Sequence, residues 1–381
     1  MDFALTEDEE LFRGAVREFA TAVLAPAAAA ADATGRIPPD VLAQTAALGL
    51  FGMLVPEAHA GASVGPPRFV LALEEVARAS AAMAALLNAH NVLAALPVVL
   101  AGSEAQQARW LPALARGEAL GAGSLAAAAR AGAAGAPAAQ ALATDGGWQL
   151  DGGARWVTNG GVAALYVVTA ASPGAVDGGI GAFLVPADTP GLHVSAPIET
   201  VGLRGALAAD LMLARCRLPA DALLSASESA VPLAEAVREL ALIGSAAQAL
   251  GIAQASLDAA LAYAQERQQF GRPIAQFEGL RHLLADVALA VDAARLLVYR
   301  AAWLCERGQP AGKAAAMAKL HAGETAMLAA TKAVQVHGGY GYMRESAVQR
   351  YFRDAKVTQA AEGTSLQQRS AIADALLPDA T

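Results

Sequence analysis

The groups best suited to chemistry cluster near the end of the chain. Gln335-Val-His-Gly-Gly-Tyr-Gly-Tyr342 is followed by Arg353-Asp-Ala-Lys356 and then by Glu362-Gly-Thr364. Three glycines within four residues allow a ligand to approach the backbone closely. A carboxylate stands on a second glycine turn a short way downstream. Together they form the layout of a flat cofactor facing an acid–base group. The rest of this alanine-rich chain holds few polar groups able to do such work.

Other patterns fail on context. Gly61-Ala-Ser-Val-Gly65 has the spacing of a serine-hydrolase elbow, but that elbow needs a strand before it and a helix directly after it, and here Pro66-Pro67 follow. The six histidines form no His-x-His or His-x-x-x-His pair, so no metal site is expected. His337 alone lies in a glycine cluster, where a packing or hydrogen-bonding role is expected. No Gly-x-Gly-x-x-Gly follows a strand pattern, which disfavours a nicotinamide site, and there is no P-loop.

Several elements must position these groups. The 381 residues are 55 % apolar with alanine dominant, which favours long packed helices. Thr6-Glu-Asp-Glu9 is a capping box, after which Leu11, Ala15 and Phe19 share a face. Pro38-Pro39 open a second helix ending near Gly49, and residues 68–87 and 104–115 read as further helices. The run 81–100 carries Asn88, His90, Asn91 and Pro97 and reads as a buried helix, so no membrane span is expected. Residues 121–143 are nearly all alanine and glycine and take no assignment. Trp148-Gln-Leu150 and Arg155-Trp-Val-Thr158 flank Asp151-Gly-Gly153 as a hairpin signature, and 165–169, 182–185 and 211–218 are strand-like. Then Leu240, Ile243, Ala247, Leu250, Gln254, Leu257 and Leu261 step by three and four, as do Leu280, Leu284, Val287, Val291, Ala294, Val298 and Ala301. These are bundle seams. A third helix, about 312–336, carries Met317, Leu320, Leu328 and Val334. The expected domains are 1–117 (helical), 118–230 (β) and 231–381 (helical bundle).

The net charge is −8 with no basic block, so nucleic acid and anionic membrane surfaces are excluded as partners. The acidic start lacks the n-region of a signal peptide, and Cys216 and Cys305 have no paired spacing. Two free thiols in a reducing cytoplasm are expected.

With Arg267-Gln-Gln-Phe-Gly-Arg-Pro-Ile274, the Gly338 cluster and Glu362-Gly-Thr364, the chain resembles the acyl-CoA dehydrogenase family. The resemblance extends to Leu48-Gly-Leu-Phe-Gly52, Val55-Pro-Glu57, Trp156-Val-Thr158 and Arg353-Asp-Ala-Lys356. It implies an α+β multidomain fold: an N-terminal helical domain, a middle β-barrel or sandwich domain and a C-terminal four-helix bundle, assembled as a tetramer. It also implies FAD between the β-domain and the bundle, completed by a neighbouring subunit. The implied reaction is α,β-dehydrogenation of an acyl thioester, with hydride passing to flavin N5 and an electron-transferring flavoprotein reoxidising the cofactor. Glu362 matches the base that takes the α-proton, and its small neighbours Ala361 and Gly363 line the substrate. If buried, Glu362 has its pKa raised by desolvation. Trp156 and Thr158, placed on one side of a strand by alternation, match residues packed on the flavin. Arg267 and Phe270 match the pair that holds the adenosine and pyrophosphate end of FAD from the neighbouring subunit, where a guanidinium suits phosphate. Gln335, Gly338 and Gly339 match a backbone-rich FAD contact, and Thr364 a phosphate or ribityl contact.

The chain departs from the family at residues 126–133, where Ala-Ala-Ala-Ala-Arg-Ala-Gly-Ala replaces a Thr-Glu-Pro-x-Ala-Gly-Ser-Asp loop. Each lost side-chain hydrogen bond weakens flavin binding by about 1 kcal/mol. Ala361 replaces an aromatic residue, opening space for a bulkier or branched acyl group. Phe277-Glu278, Thr364-Ser-Leu366 and Arg204-Gly205 keep only part of their motifs, and no arginine matches the family's active-site arginine, Arg238 being one helical turn away. Besides the acyl-CoA dehydrogenase, the sequence therefore allows a flavin-poor structural subunit of a heterotetramer, a dehydrogenase acting on an acyl carrier protein thioester, and an oxidase that releases peroxide.

Overall fold

The computed structural model describes residues 4–125, 139–171, 179–225 and 227–377. The run at 126–133 lies outside them.

The first helix, Glu7–Phe19, starts from the expected capping box, with the Thr6 N–H donating to the Glu9 carboxylate at 2.8 Å. Its buried side is Val16, followed by Ala20 and Leu24, with Phe12 and Phe19 packed alongside. Leu11 and Ala15 of the expected face are exposed, because the two phenylalanine rings take the core side with Val16. The expected helix at 68–87 is two helices, Pro66–Ala79 and one starting at Ala81. Ser80 is extended (φ −146°, ψ 99°) and its hydroxyl accepts from the Met83 N–H, so it ends one helix and caps the next. The Ser63 segment does run into a helix at Pro66, but no strand precedes it, and the hydrolase elbow is absent. Ala81–Ala101 and Ala230–Glu266 are long and apolar enough to cross a membrane, yet 78 % and 94 % of those windows are buried inside the protein, as core helices are.

A charged clamp ties this helical layer to the bundle. Glu74 and Glu75 are both buried. The Arg295 guanidinium donates twice to Glu74 at 3.1 and 3.2 Å, and the Tyr299 hydroxyl donates to it at 2.9 Å. Arg17 forks onto Glu75 at 2.5 and 2.9 Å. Burial beside Glu74 pushes the Tyr299 pKa far up. Removing one partner of a buried pair strands the other. Glu74→Ala is therefore expected to cost about 3 kcal/mol, read as a lower urea midpoint, with Glu74→Gln losing less because it keeps an acceptor for Tyr299.

The middle of the chain forms a mixed sheet: β1 Gly121–Gly123, β2 Ala139–Thr144, β3 Gly147–Val157, β4 Leu165–Ala171, β5 Ile180–Pro186, β6 Leu192–Val194, β7 Ala209–Pro219 and β8 Leu223–Ser225. The order is β6-β7-β3-β2-β4-β5-β8, with β1 parallel to β4. β4 and β5 are apolar at nearly every position because both faces are covered. Tyr166, Val168 and Phe183 face a core within the sheet domain, whereas Leu165, Val167 and Leu184 face the helices. The expected hairpin turn at Asp151-Gly-Gly153 is instead a bulge inside one long strand. The register against β7 shifts between Leu150 and Gly152, and the Asp151 carboxylate accepts the Arg215 N–H at 2.7 Å. The hairpin loop is Asp145-Gly146, between Thr144 and Gly147.

The bundle consists of Ser227–Glu266, Glu278–Glu306, Gly312–His337 and Ala347–Val357, followed by the terminal helix Ser365–Leu376. The two long seams are buried as expected, except that Leu261 at the end of the first is exposed and Gln254 and Leu280 are only half-buried. The third helix differs. Leu328 is exposed and Met317, Leu320 and Val334 are only half-buried, while Ala315, Ala318, Ala322, Ala326 and Ala329 form the buried seam. Small side chains let this helix sit at the centre, against all three of the others.

Arg353-Asp354 locks the three layers together. Arg353 forks onto Asp32 at 2.6 and 2.8 Å and donates to the Val201 carbonyl, while Asp354 accepts the Leu203 N–H at 2.7 Å. Burial raises Asp354 to about 6. The helix leading to Glu362 is thereby fixed against both other layers.

Candidate active site

Glu362 stands on a turn that its sequence forces and its neighbours hold. The Ala347–Val357 helix ends where the Ala360 and Ala361 N–H groups both donate to the Val357 carbonyl. Glu362 then takes φ 53° and Gly363 φ 102°. The left-handed region costs a non-glycine residue about 1 kcal/mol or more and persists where the surroundings over-determine it. Three hydrogen bonds do so here. Gln368, fully buried, reaches the Glu362 and Gly363 carbonyls at 3.4 and 3.2 Å, and the Lys319 ammonium donates to the Gly363 carbonyl. Thr364 caps the terminal helix: its hydroxyl accepts the Gln367 N–H at 3.3 Å and its own N–H donates to the Gln367 side chain at 2.9 Å. Glu362 keeps some surface as a residue, but the protein packed around its carboxyl raises its pKa, and Lys319 opposes that rise. Ala361 and Gly363 beside it are half-buried.

The other glycine cluster lies elsewhere. His337 ends the third bundle helix, and Gly338 turns the chain at φ 57°. No atom lies within 4 Å of where a Cβ on Gly338 or Gly339 would sit, so their backbone faces open space. They line a cleft of about 660 Å³ together with Arg267, Ile274, His337 and Tyr340. The Arg267 guanidinium lies 5.7 Å from the centre of the Tyr340 ring, and Tyr263 stacks on His337 at 4.2 Å. His337 Nδ1 lies 2.8 Å from the Ala333 carbonyl, in the packing and hydrogen-bonding role expected of it. Phe270 and Gly271, both at positive φ, turn a two-stranded ribbon outside this cleft and leave the Phe270 ring 93 % exposed. Gln335 is exposed on the helix and does not line the cleft. The 18 residues from Lys319 to His337 on one helix separate this cleft from the Glu362 turn by about 27 Å.

Trp156 and Thr158 are not related by alternation. A second bulge falls between Ala154 and Val157, β3 ends at Val157, and Trp156 takes φ 59° with its N–H on Asp210 at 2.9 Å. The bulge lifts the indole out of the sheet, 60 % exposed, while Val157 goes inward. Asn159, fully buried, fixes the following turn by donating to the Leu86 and Gly121 carbonyls at 3.0 and 3.1 Å. Arg238 lies on the first bundle helix, where its charge acts on Glu239; among the described residues it is Lys319 whose charge acts on Glu362. Sequence reasoning missed Lys319, Gln368 and Asn159. The first carried a signal, being a lone lysine in an alanine seam. Among the described residues, no three His, Cys, Asp or Glu side chains come together as a metal site.

Residues 6–118 match the acyl-CoA dehydrogenase N-terminal domain, 128–216 its middle domain and 241–377 its C-terminal domain. The chain belongs to the acyl-CoA dehydrogenase family. It is 40 % identical to an acyl-CoA dehydrogenase of Bacillus subtilis (strain 168), covering 98 % of this chain and 99 % of the relative. It is 38 % identical to the mitochondrial short-chain specific acyl-CoA dehydrogenase of Mus musculus, covering 98 % and 91 %. The butyryl-CoA dehydrogenase of Megasphaera elsdenii superposes with a TM-score of 0.93 at 35 % identity, over 99 % of this chain and all of that one. As an acyl-CoA dehydrogenase, the protein is an oxidoreductase acting on the CH–CH bond of an acyl thioester, and its cofactor is FAD. The residues present fit that cofactor: an open glycine backbone and a guanidinium line one cleft, and the exposed Trp156 indole offers a flat apolar face.

Proposed function

We propose that Glu362 is the base of this acyl-CoA dehydrogenase and that the acyl group is short or branched. The observation that carries the first part is the enclosed carboxyl of Glu362 on a strained turn, with its pKa raised toward the range where a carboxylate both ionises and accepts a proton usefully. The short chain is supported by the short-chain specific and butyryl-CoA relatives, and room for branching by Ala361. Trp156 and Thr158 hold one end of FAD, with Gly363 and Ala361 against the acyl group. Arg267, Phe270, Gln335, Gly338 and Gly339 hold the other end of an FAD bound to a second copy. Thr364, committed as a cap, fixes the orientation of the turn and leaves its exposed edge for the cofactor. Bound FAD supplies the hydride acceptor. Glu362 takes the α-proton, and the turn bonds keep its carboxyl from rotating away.

The 27 Å between the two clusters supports a shared site, and hence an oligomer, which we take to be a tetramer. The exposed Phe270, Tyr340, Tyr342 and Met343 suit burial against another copy. An electron-transferring flavoprotein is the proposed electron acceptor. The absorption spectrum of the purified protein tests the reading: about one FAD per chain, losing its visible absorbance on addition of butyryl-CoA. A colourless protein that gains activity only with a companion chain would favour the structural-subunit reading, to which the polar-poor sequence at 126–133 points.

A further inference from the structure

Resting on the base role of Glu362, we infer that Lys319 is a positioning residue that holds the Glu362–Gly363 turn and sets a positive charge within reach of the base. Lys319 is 1 % exposed, in the middle of the third bundle helix, flanked along the chain and along its face by Ala315, Ala316, Ala318 and Ala322. An ammonium is costly to bury, and alanine offers it nothing. Its Nζ donates to the Gly363 carbonyl, the residue after the base. The helix can approach the turn this closely because Gly323, one turn further along, has no side chain: a Cβ there would lie 2.9 Å from the Thr358 carbonyl.

Neutral Gln368 already donates to both turn carbonyls, so hydrogen bonding alone does not call for a charge here. What the lysine adds is a positive charge that pulls the Glu362 pKa down, which offsets its desolvation and keeps the base ionised over a wider pH range. Three of the other titratable groups on the packed elements are engaged elsewhere. Glu324 on the same helix pairs with Arg369 of the terminal helix, Lys356 of the fourth helix donates to Gln359, and Asp354 accepts from Leu203. His321 is two residues from Lys319 and so points to another side of the helix.

The test is a titration of the Glu362 carboxyl in the FAD-loaded enzyme labelled with [δ-13C]glutamate, its resonance assigned by absence from Glu362→Gln. In Lys319→Met the midpoint is expected to rise by about 1 unit or more, and the acid limb of substrate oxidation to move up with it. Lys319→Arg, which keeps the charge, is expected to restore a midpoint near the wild-type value. A midpoint unchanged in Lys319→Met overturns the inference. A midpoint that moves while the acid limb of oxidation stays put overturns the base role of Glu362 and leaves the coupling standing. Should Lys319→Met not fold, 15N-labelled lysine in the wild-type enzyme reads the same coupling. One Nζ signal is expected to shift with the Glu362 midpoint and to stay flat in Glu362→Gln; a flat signal in the wild type overturns it.

Discussion

Glu362→Gln is expected to lower the rate of acyl-CoA oxidation by about 10²–10⁴-fold while leaving FAD bound and the fold intact. The amide has the shape of the acid and cannot take a proton. The turn itself is held through backbone carbonyls by Lys319 and Gln368, and those bonds survive the change. Stability gives an independent sign. The folded-state pKa of Glu362 lies above its unfolded value, so the ionised carboxyl costs stability once pH passes the unfolded pKa, and the cost is complete above the folded one. Glu362→Gln is then at least as stable as the wild type near neutrality. The difference disappears in acid, where both side chains are neutral. Thermal midpoints at pH 4 and pH 8 check this, and a variant markedly less stable at pH 8 would contradict an enclosed, charge-disfavouring site.

Mixing two inactive variants is expected to restore activity. In the proposed shared site, the Glu362 turn and the Arg267–Gly338 cleft, about 27 Å apart on one chain, come from different copies. Arg267→Ala removes a guanidinium from the cleft, and Glu362→Gln removes the proposed base. Each variant alone disables every site. In randomly mixed pairs about a quarter of the sites combine an intact turn with an intact cleft, so co-expressed chains recover about a quarter of the wild-type activity. Chains purified separately and mixed without exchange recover none. A site built within one chain gives no recovery in either case.

The long helices were legible because their seams repeat by three and four, and their burial follows from that period alone. The central helix was legible as a helix but not in its contacts. Its larger side chains suggested a seam, whereas its position among three neighbours demands alanine, a preference set by tertiary spacing. β3 misled for a related reason. Asp151-Gly-Gly153 reads as a turn in isolation, but the partner that makes it a bulge is Arg215 on a strand far along the chain. Trp156 was found by resemblance while its exposure was not, because the second bulge also depends on β7. Glu362 stood out for the same motif, yet the turn that carries it is held by Lys319 and Gln368, which no local pattern connects to it.

The most direct measurement of the central claim follows the α-hydrogens of a non-oxidisable acyl-CoA thioester, with sulfur in place of its β-carbon, in D2O by NMR, in the FAD-loaded wild type and in Glu362→Gln. Because the analogue cannot give up a hydride, exchange reports proton removal alone. The account predicts steady loss of the α-hydrogen signal with the wild type and none above background with the variant. Equal exchange by both would mean that another group takes the proton and that Glu362 is not the base.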